Sequence, residues 1–108
     1  MTQDSAFDAY LVYLSTLTAR DISHLGDYVS SDVRFCDPFH DIQGVGEMAA
    51  IFSRLFSTVR GITFSVRESG GQGSCFFFRW ILTGILRGKK WTVEGVTLVE
   101  MRADGKVV

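Results

Sequence analysis

The hydrophobic pattern changes its period at Gly61, and this change constrains the fold more than any other feature. After Gly61 the chain reads as three strands, Ile62–Glu68, Ser74–Leu86 and Trp91–Arg102, joined by glycine-containing turns. Before Gly61, apolar residues recur every three or four positions, as on one side of a helix. The strongest such run contains Met48, Ile51, Phe52, Leu55, Phe56 and Val59. Helices followed by consecutive strands predict an α+β fold, with helices on one face of an antiparallel sheet.

Shorter elements precede the long helix. Helical spacing of apolar residues predicts a first amphipathic helix at the N-terminus, and Asp21 is placed to cap a short second helix, Ile22–Val29. Val33, Phe35 and Asp37 then alternate as in a strand that stops at Pro38. We expect residues 39–46 to form a loop and the long helix to end at Gly61.

The turns and the last strand follow from glycine placement. We expect turns at residues 70–73, at Gly88 and at Ala103–Lys106. Only Val107 and Val108 follow the last of these turns, so the final strand is expected to be truncated. The chain is otherwise predicted to be one domain over residues 1–108.

Composition excludes several classes of protein. The chain has 108 residues, 46% of them hydrophobic, which suits one packed core and not disorder. A net charge of −1, without a basic cluster, argues against nucleic-acid binding. The longest apolar stretch, Cys75–Leu86, is interrupted by Arg79 and is too short for a membrane helix. The N-terminus lacks a signal-peptide pattern, so we expect a cytoplasmic protein, with Cys36 and Cys75 as buried free thiols.

Three polar residues share a predicted face with apolar ones. Asp37 is in phase with Val33 and Phe35, and Thr97 is in phase with apolar residues of its strand. Tyr13 lies at the border of the apolar side of the first helix. A carboxylate in apolar surroundings has a raised pKa and becomes a usable general base near neutral pH. These three residues are therefore the candidates for a functional site.

Each candidate also has a purely structural interpretation. Asp37, just before a proline, could end its strand by bonding turn amides. Tyr13 could be an interfacial tyrosine with a solvated hydroxyl, and Thr97 an ordinary strand threonine. His40 could lie near the mouth of a pocket or in a solvated loop. His24 and His40 do not have the spacing of metal ligands, so no metal site is expected.

The strand Cys75–Leu86 is apolar in both alternation phases, so both of its faces favour burial. One layer of helices covers only one of them. The other face is predicted to pack against a second copy of the chain, giving a homodimer through the sheet.

Three segments carry a resemblance to a known family. They are Leu17–Asp21, Val33–Phe39 and the stretch from Trp91 to Thr97, which leads to Asp104–Val108. Together they resemble the nuclear-transport-factor-2-like (NTF2-like) superfamily, and within it the ketosteroid-isomerase and SnoaL-like polyketide-cyclase group. The resemblance covers essentially the whole chain. It implies a cone-shaped, curved antiparallel sheet wrapped around a long helix with N-terminal helices, also called cystatin-like.

The resemblance also implies roles for the three candidates. Tyr13 matches the tyrosine that donates a hydrogen bond to the substrate carbonyl, and Asp37 matches the general base. Thr97 stands where the steroid isomerases carry a protonated aspartate, their second donor, so it would be a weak auxiliary donor. Loss of one such donor costs roughly 100- to 1000-fold in rate, which argues against efficient steroid isomerisation. Cyclases of the group depend mainly on an acid/base carboxylate in an apolar cavity.

The expected function is cofactor-free proton transfer on a small, hydrophobic, carbonyl-bearing molecule bound in a cone-shaped pocket. Isomerase, cyclase and dehydratase reactions all remain open, and no cofactor is expected. The alternative is a non-catalytic module of the same fold that binds a small ligand or another protein. The expected lining is aromatic, and its candidates are Phe35, Phe52, Phe56 and Trp91.

Overall fold

A computed structural model describes residues 3–36 and 40–108 of the chain. The helices are α1 (Gln3–Ser15), a 3₁₀ helix (Ala19–Asp27) and α2 (Val45–Thr58). The strands are β1 (Arg34–Cys36), β2 (Asp41–Gln43), β3 (Arg60–Gln72), β4 (Cys75–Leu86) and β5 (Lys89–Glu100).

The strands form two antiparallel groups. β3, β4 and β5 make a three-stranded meander, and β1 pairs with β2 as a separate hairpin. Outside these strands, Val107 forms a parallel bridge with Val29 and an antiparallel bridge with Met101. The result is a curved antiparallel sheet with helices packed against it, which confirms the predicted α+β class.

The two faces of the meander differ sharply in burial. We call the side that contacts the helices the inner face; it carries Phe76 and Phe78 of β4 and Val99 of β5, all buried. On this face, the Phe7 ring of α1 stacks on Phe76 with ring centroids 4.5 Å apart. The opposite side is the outer face, where Val96 and Leu98 of β5 are exposed. Alternation along the strands therefore separates a core-facing surface from a solvent-facing one.

The second helix differs from its prediction. It is a 3₁₀ helix that starts after Thr18, three residues before the expected start. Asp21 is not the cap residue: its Oδ2 accepts hydrogen bonds from the Thr18 backbone N–H at 3.2 Å and from Thr18 Oγ1 at 2.9 Å. The aspartate thus acts from the third helical position, as the acidic partner of a capping box does.

The predicted loop at residues 39–46 was wrong, because it contains β2. In this hairpin Arg34 binds Asp41 through two hydrogen bonds, Nε to Oδ1 at 3.0 Å and Nη2 to Oδ2 at 2.9 Å. Phe35 pairs with Ile42 in the middle of this ladder, between Arg34 at one end and Asp41 at the other. A three-residue strand carries almost no periodic signal of its own, so the sequence pattern could not show it.

The structural roles predicted for Gly61 and for Gly70 and Gly71 also need correction. The long helix ends at Thr58, and Gly61 lies inside β3 with φ +59° at an irregularity in the β3–β4 register. Gly70 and Gly71 continue β3 instead of turning; the turn falls at Gly73. A Cβ at residue 71 would come within 2.6 Å of the Cys75 carbonyl oxygen, so glycine is needed there for close packing.

Other local predictions have clear outcomes. The β4–β5 hairpin turns at Arg87 and Gly88, both with positive φ, as a two-residue hairpin requires. Both cysteines are free but exposed, so the expectation of buried thiols was wrong. Among the described residues, none of the helices is both long enough and apolar enough to span a bilayer.

Candidate functional site

Half-buried aromatic side chains lie on the inner face and on the elements beside it. Phe35 of β1 meets Phe52 of α2 edge to face, with ring centroids 6.2 Å apart. Phe56 of α2 and Trp91 of β5 are also half-buried, so all four predicted lining residues keep part of their surface accessible. The structure brings Phe35 and Phe52 into contact. It gives no ring contact that joins Phe56 or Trp91 to this pair.

Trp80, which the sequence did not single out, holds a fixed position on this face. Its indole stacks on Phe64 of β3, with centroids 5.5 Å apart and planes at 28°. It also lies across Gly95, where a Cβ would approach Trp80 Cζ2 to 2.7 Å. The indole Nε1–H donates a hydrogen bond to Thr97 Oγ1 at 2.9 Å. Three different neighbours therefore fix this ring.

Thr97 is half-buried on the inner face, directly opposite Phe78 in the β4–β5 register. Its hydroxyl oxygen accepts the hydrogen bond from the Trp80 indole. Within the described residues, the hydroxyl donates to no protein acceptor. A threonine hydroxyl has one proton to donate and two lone pairs to accept with. The bond from Trp80 occupies one lone pair and leaves the proton available to another partner.

Tyr13 has a different environment. Its hydroxyl donates to the backbone carbonyl oxygen of Asp21 at 2.7 Å, and its ring stacks on Tyr28 at 4.3 Å. Burial raises the pKa of Tyr13 to about 12, with further contributions from the Asp21, Tyr28 and Asp27 charges. The phenol is therefore neutral at physiological pH. Its proton is engaged within the protein, and its role as a donor to substrate stays a prediction.

Asp37 lies outside the described residues, together with Pro38 and Phe39. The described residues on either side are Cys36, which is exposed, and His40, which is half-buried. The role of Asp37 as a base and the role of His40 at a pocket mouth stay predictions.

Asp41 is the described carboxylate nearest to Asp37 in the sequence. The hydrogen bonds from Arg34 lower the pKa of Asp41 below its usual range. A carboxylate with a lowered pKa holds a proton weakly and is a poor base at neutral pH. Asp41 is therefore not a substitute for Asp37.

No cluster of metal-ligating side chains occurs among residues 3–36 and 40–108. The chemistry available on the inner face is a neutral hydroxyl donor within aromatic surroundings. This combination suits hydrogen bonding to an oxygen atom of an otherwise apolar molecule.

The outer face carries exposed apolar residues around a row of charges. Arg79 donates to Glu68 from Nε at 2.6 Å and from Nη2 at 3.1 Å, and its Nη1 lies 3.7 Å from Glu94. The apolar residues around this row form what we call the outer patch: Phe77, Ile81 and Ile85 of β4, with Val96 and Leu98 of β5. Leu98 is 84% exposed and Val96 63%.

Comparison with known structures identifies the class of protein. An NTF2-like protein of unknown function from Exiguobacterium matches with a TM-score of 0.79 and 18% identity, over 95% of this chain and 92% of that one. A protein described as a SnoaL-like polyketide cyclase from Jannaschia matches with a TM-score of 0.80 and 18% identity, over 95% and 81%. A LEH-like epoxide hydrolase from M. tuberculosis matches with a TM-score of 0.74 and 18% identity, over 95% and 71%. The fold is therefore NTF2-like.

The family is equally clear. The model of the SnoaL-like domain matches residues 11–108, which is most of the chain. The chain belongs to the SnoaL-like family, as its sequence resemblance implied. No curated protein sequence matches it significantly.

Proposed function

We propose that this SnoaL-like domain binds a small, mostly apolar carbonyl compound on its inner face and catalyses proton transfer next to the carbonyl without a cofactor. The observation that carries the proposal is the Thr97 hydroxyl. It lies among aromatic side chains, it is oriented by the bond from Trp80, and its own proton has no acceptor within the described residues.

In the proposed reaction Asp37 removes a proton from the carbon next to the carbonyl. Electrons of the C–H bond then form a C=C bond, and the carbonyl oxygen becomes an enolate oxygen. Thr97 donates its hydroxyl proton in a hydrogen bond to that oxygen as its charge develops. In an isomerisation the protonated Asp37 returns the proton to another carbon of the conjugated enolate, and the carbonyl re-forms. In a ring closure the enolate carbon attacks a second carbonyl carbon of the same molecule, and the alkoxide oxygen that forms takes the proton from Asp37, so neither reaction needs an added reactant.

The bond from Trp80 to Thr97 strengthens this donor. A hydroxyl that accepts a hydrogen bond becomes a better donor, because chained hydrogen bonds polarise one another. Positioned donors of this kind are worth ~2.7 to 4 kcal/mol when they face a developing oxyanion. Tyr13 could contribute only after giving up its bond to the Asp21 carbonyl, so Thr97 is placed ahead of it as the donor.

The structural relatives include an epoxide hydrolase and a protein described as a polyketide cyclase. The substrate panel should therefore contain enolisable ketones, polyketide-like aldol substrates, a Δ5-3-ketosteroid and a small epoxide. Deuterium incorporation from D₂O next to the carbonyl reports turnovers in which the proton held by Asp37 exchanges with solvent, and product formation reports turnovers in which the same proton is returned. Incorporation above the buffer rate supports the proposal.

The alternative function, ligand binding without catalysis, gives a different result in the same experiment. Compounds would then perturb the fluorescence of Trp80 with no deuterium incorporation. The engaged proton of Tyr13 is the observation that favours this alternative, because it removes one of the two expected donors.

We also propose that two copies of the chain pair through the outer patch. The charges of Glu68, Arg79 and Glu94 run negative, positive, negative across the three strands, and a two-fold axis can set each arginine of such a row against a glutamate of the other copy. Exposed apolar surface on both sides of this row would be buried in the pair.

A matched pair of variants tests the dimer. Val96 on the outer patch and Val12 on α1 are equally exposed, at 63% each. Val96→Glu should shift the sedimentation coefficient to that of a 12.0 kDa monomer, because it adds a third carboxylate beside Glu68 and Glu94 to the buried interface, where Arg79 is already paired with both. Val12→Glu should leave the dimer unchanged. A parent that sediments as a monomer at micromolar concentration would refute the dimer.

A further inference from the structure

A concave surface lies on the α1 side of the molecule, apart from the aromatic residues of the inner face. We call it the α1 groove; its volume is about 520 Å³, within the range of small-molecule sites. Its walls come from α1, from the 3₁₀ helix and from the residue that follows it. They are Ala9, Val12, Tyr13, Thr16, Asp21, His24, Asp27 and Tyr28. None of the aromatic residues of the inner face lines it.

The groove has an aromatic wall and an apolar rim. Tyr13 and Tyr28 stack with ring centroids 4.3 Å apart and planes only 19° from parallel, so together they form one aromatic unit. Tyr28 is half-buried and keeps part of its surface accessible. Val12 is more than half exposed at the edge. Aromatic rings attract cations through the negative charge of their faces.

Negative charge is concentrated in the same place. Asp21 and Asp27 line the groove, and none of the lining residues is lysine or arginine. Only one carboxylate oxygen of Asp21 is engaged, by Thr18, and the other has no donor within the described part of the chain. Both carboxylates also act on Tyr13, where they raise the pKa of the phenol beyond the effect of burial.

Carboxylate and phenol oxygens give the groove several hydrogen-bond acceptors. Because the Tyr13 hydroxyl donates its hydrogen bond to the Asp21 carbonyl oxygen, the phenol oxygen has only lone pairs left for another partner. His24 is the one lining group that can become cationic, and its Nδ1 lies 3.6 Å from Asp27 Oδ2. An anion or a neutral donor-poor molecule would therefore face mostly acceptors, whereas a cation would be attracted by carboxylates and rings together.

We propose that the α1 groove binds a small organic ammonium ion, with the charged nitrogen between Asp21 and Asp27 and the apolar part against Tyr13, Tyr28 and Val12. The proposal is independent of the reaction on the inner face. An acidic surface alone attracts any cation weakly, but a concave site with aromatic walls selects cations that carry an apolar group.

The test compares 2-phenylethylamine with 2-phenylethanol, which has a similar shape without the charge. Backbone amide NMR shifts are followed at pH 8, where an imidazole is ordinarily neutral. The amine should shift residues of α1 and the 3₁₀ helix, with saturation, and the alcohol should bind more weakly. Binding of the alcohol equal to that of the amine would overturn the proposal. So would a lack of amine-induced shifts at millimolar concentration, or shifts confined to the inner face.

Variants separate a site from a general effect of charge. Asp27→Asn should weaken amine binding by about threefold, the effect of one rim ion pair. Asp8→Asn makes the same charge change on α1 outside the groove and should leave binding unchanged. Tyr28→Leu, checked for folding by its amide spectrum, should weaken binding by about two- to fivefold through loss of the ring. Equal weakening by Asp27→Asn and Asp8→Asn would overturn the site.

Discussion

The position of Trp80 gives a prediction that can be worked out in numbers. In Gly95→Ala the new Cβ would lie 2.7 Å from Trp80 Cζ2, so the indole must move away from β5. Overpacking of this kind costs about 1 to 3 kcal/mol. The same movement breaks the bond from Trp80 Nε1 to Thr97, for a further ~0.5 to 1.5 kcal/mol. We expect a total loss of about 1.5 to 4.5 kcal/mol in the free energy of unfolding.

Thr97→Val removes only the acceptor and should cost about 1 kcal/mol. Because Gly95→Ala already breaks the same bond, the double variant should be more stable than the sum of the single effects predicts, by about 1 kcal/mol. Thr92→Val on the same strand is the control, since Thr92 is exposed and on the outer face. Its effect should stay within about 0.5 kcal/mol.

Urea denaturation in a Trp91→Phe background provides the assay. The chain has two tryptophans, so Trp80 is then the only tryptophan emitter. Gly95→Ala and Thr97→Val should each change the emission maximum of the native state, and Thr92→Val should not. Strictly additive losses with an unchanged Trp80 emission would show that the indole is not held as described.

Two further predictions concern other side chains. Tyr13→Phe should lower the free energy of unfolding by about 1 kcal/mol, because the bond to the Asp21 carbonyl is lost; an unchanged urea midpoint would contradict this. Asp41→Asn should destabilise the protein more at pH 7 than at pH 2.5. Arg34 lowers the pKa of folded Asp41, so the stabilisation is present above the ordinary value of about 3.9 and is lost as the pH falls through the folded value. Equal differences in urea midpoint at both pH values would refute it.

The sequence predicted most elements of the fold because their hydrophobic patterns extend over many residues. The run from Met48 to Val59, the continuous apolar stretch of β4 and the alternation in β5 were sufficient to place α2 and the meander. The sequence did not predict β2, because a three-residue strand depends on its partner strand for its stability, here through the hydrogen bond between Arg34 and Asp41. The sequence predicted a turn at Gly71, which lies inside β3. Glycine is needed there because a Cβ would collide with Cys75 and Phe76 on the next strand, and this contact cannot be read from the sequence.

The candidate site was predictable only in part, for a similar reason. Period two placed Thr97 on the inner face correctly. The register between β4 and β5, which sets Trp80 beside Gly95 and within reach of Thr97, cannot be read from either strand alone. Trp80 could have been noticed, since it shares its alternation phase with Phe76 and Phe78. For Tyr13, helical spacing gave the border position but not the direction of the hydroxyl.

The proposed proton transfer on the inner face requires Asp37 as its base. Deuterium incorporation from D₂O into the most active ketone of the panel tests it most directly, with Asp37→Asn compared with the parent and with Glu47→Gln, an exposed carboxylate on α2. Removal of a positioned base should slow exchange by roughly 100- to 10,000-fold while ligand binding is retained. Glu47→Gln should exchange at the parent rate. Deuterium incorporation by the Asp37→Asn protein as fast as by the parent would show that Asp37 is not the base.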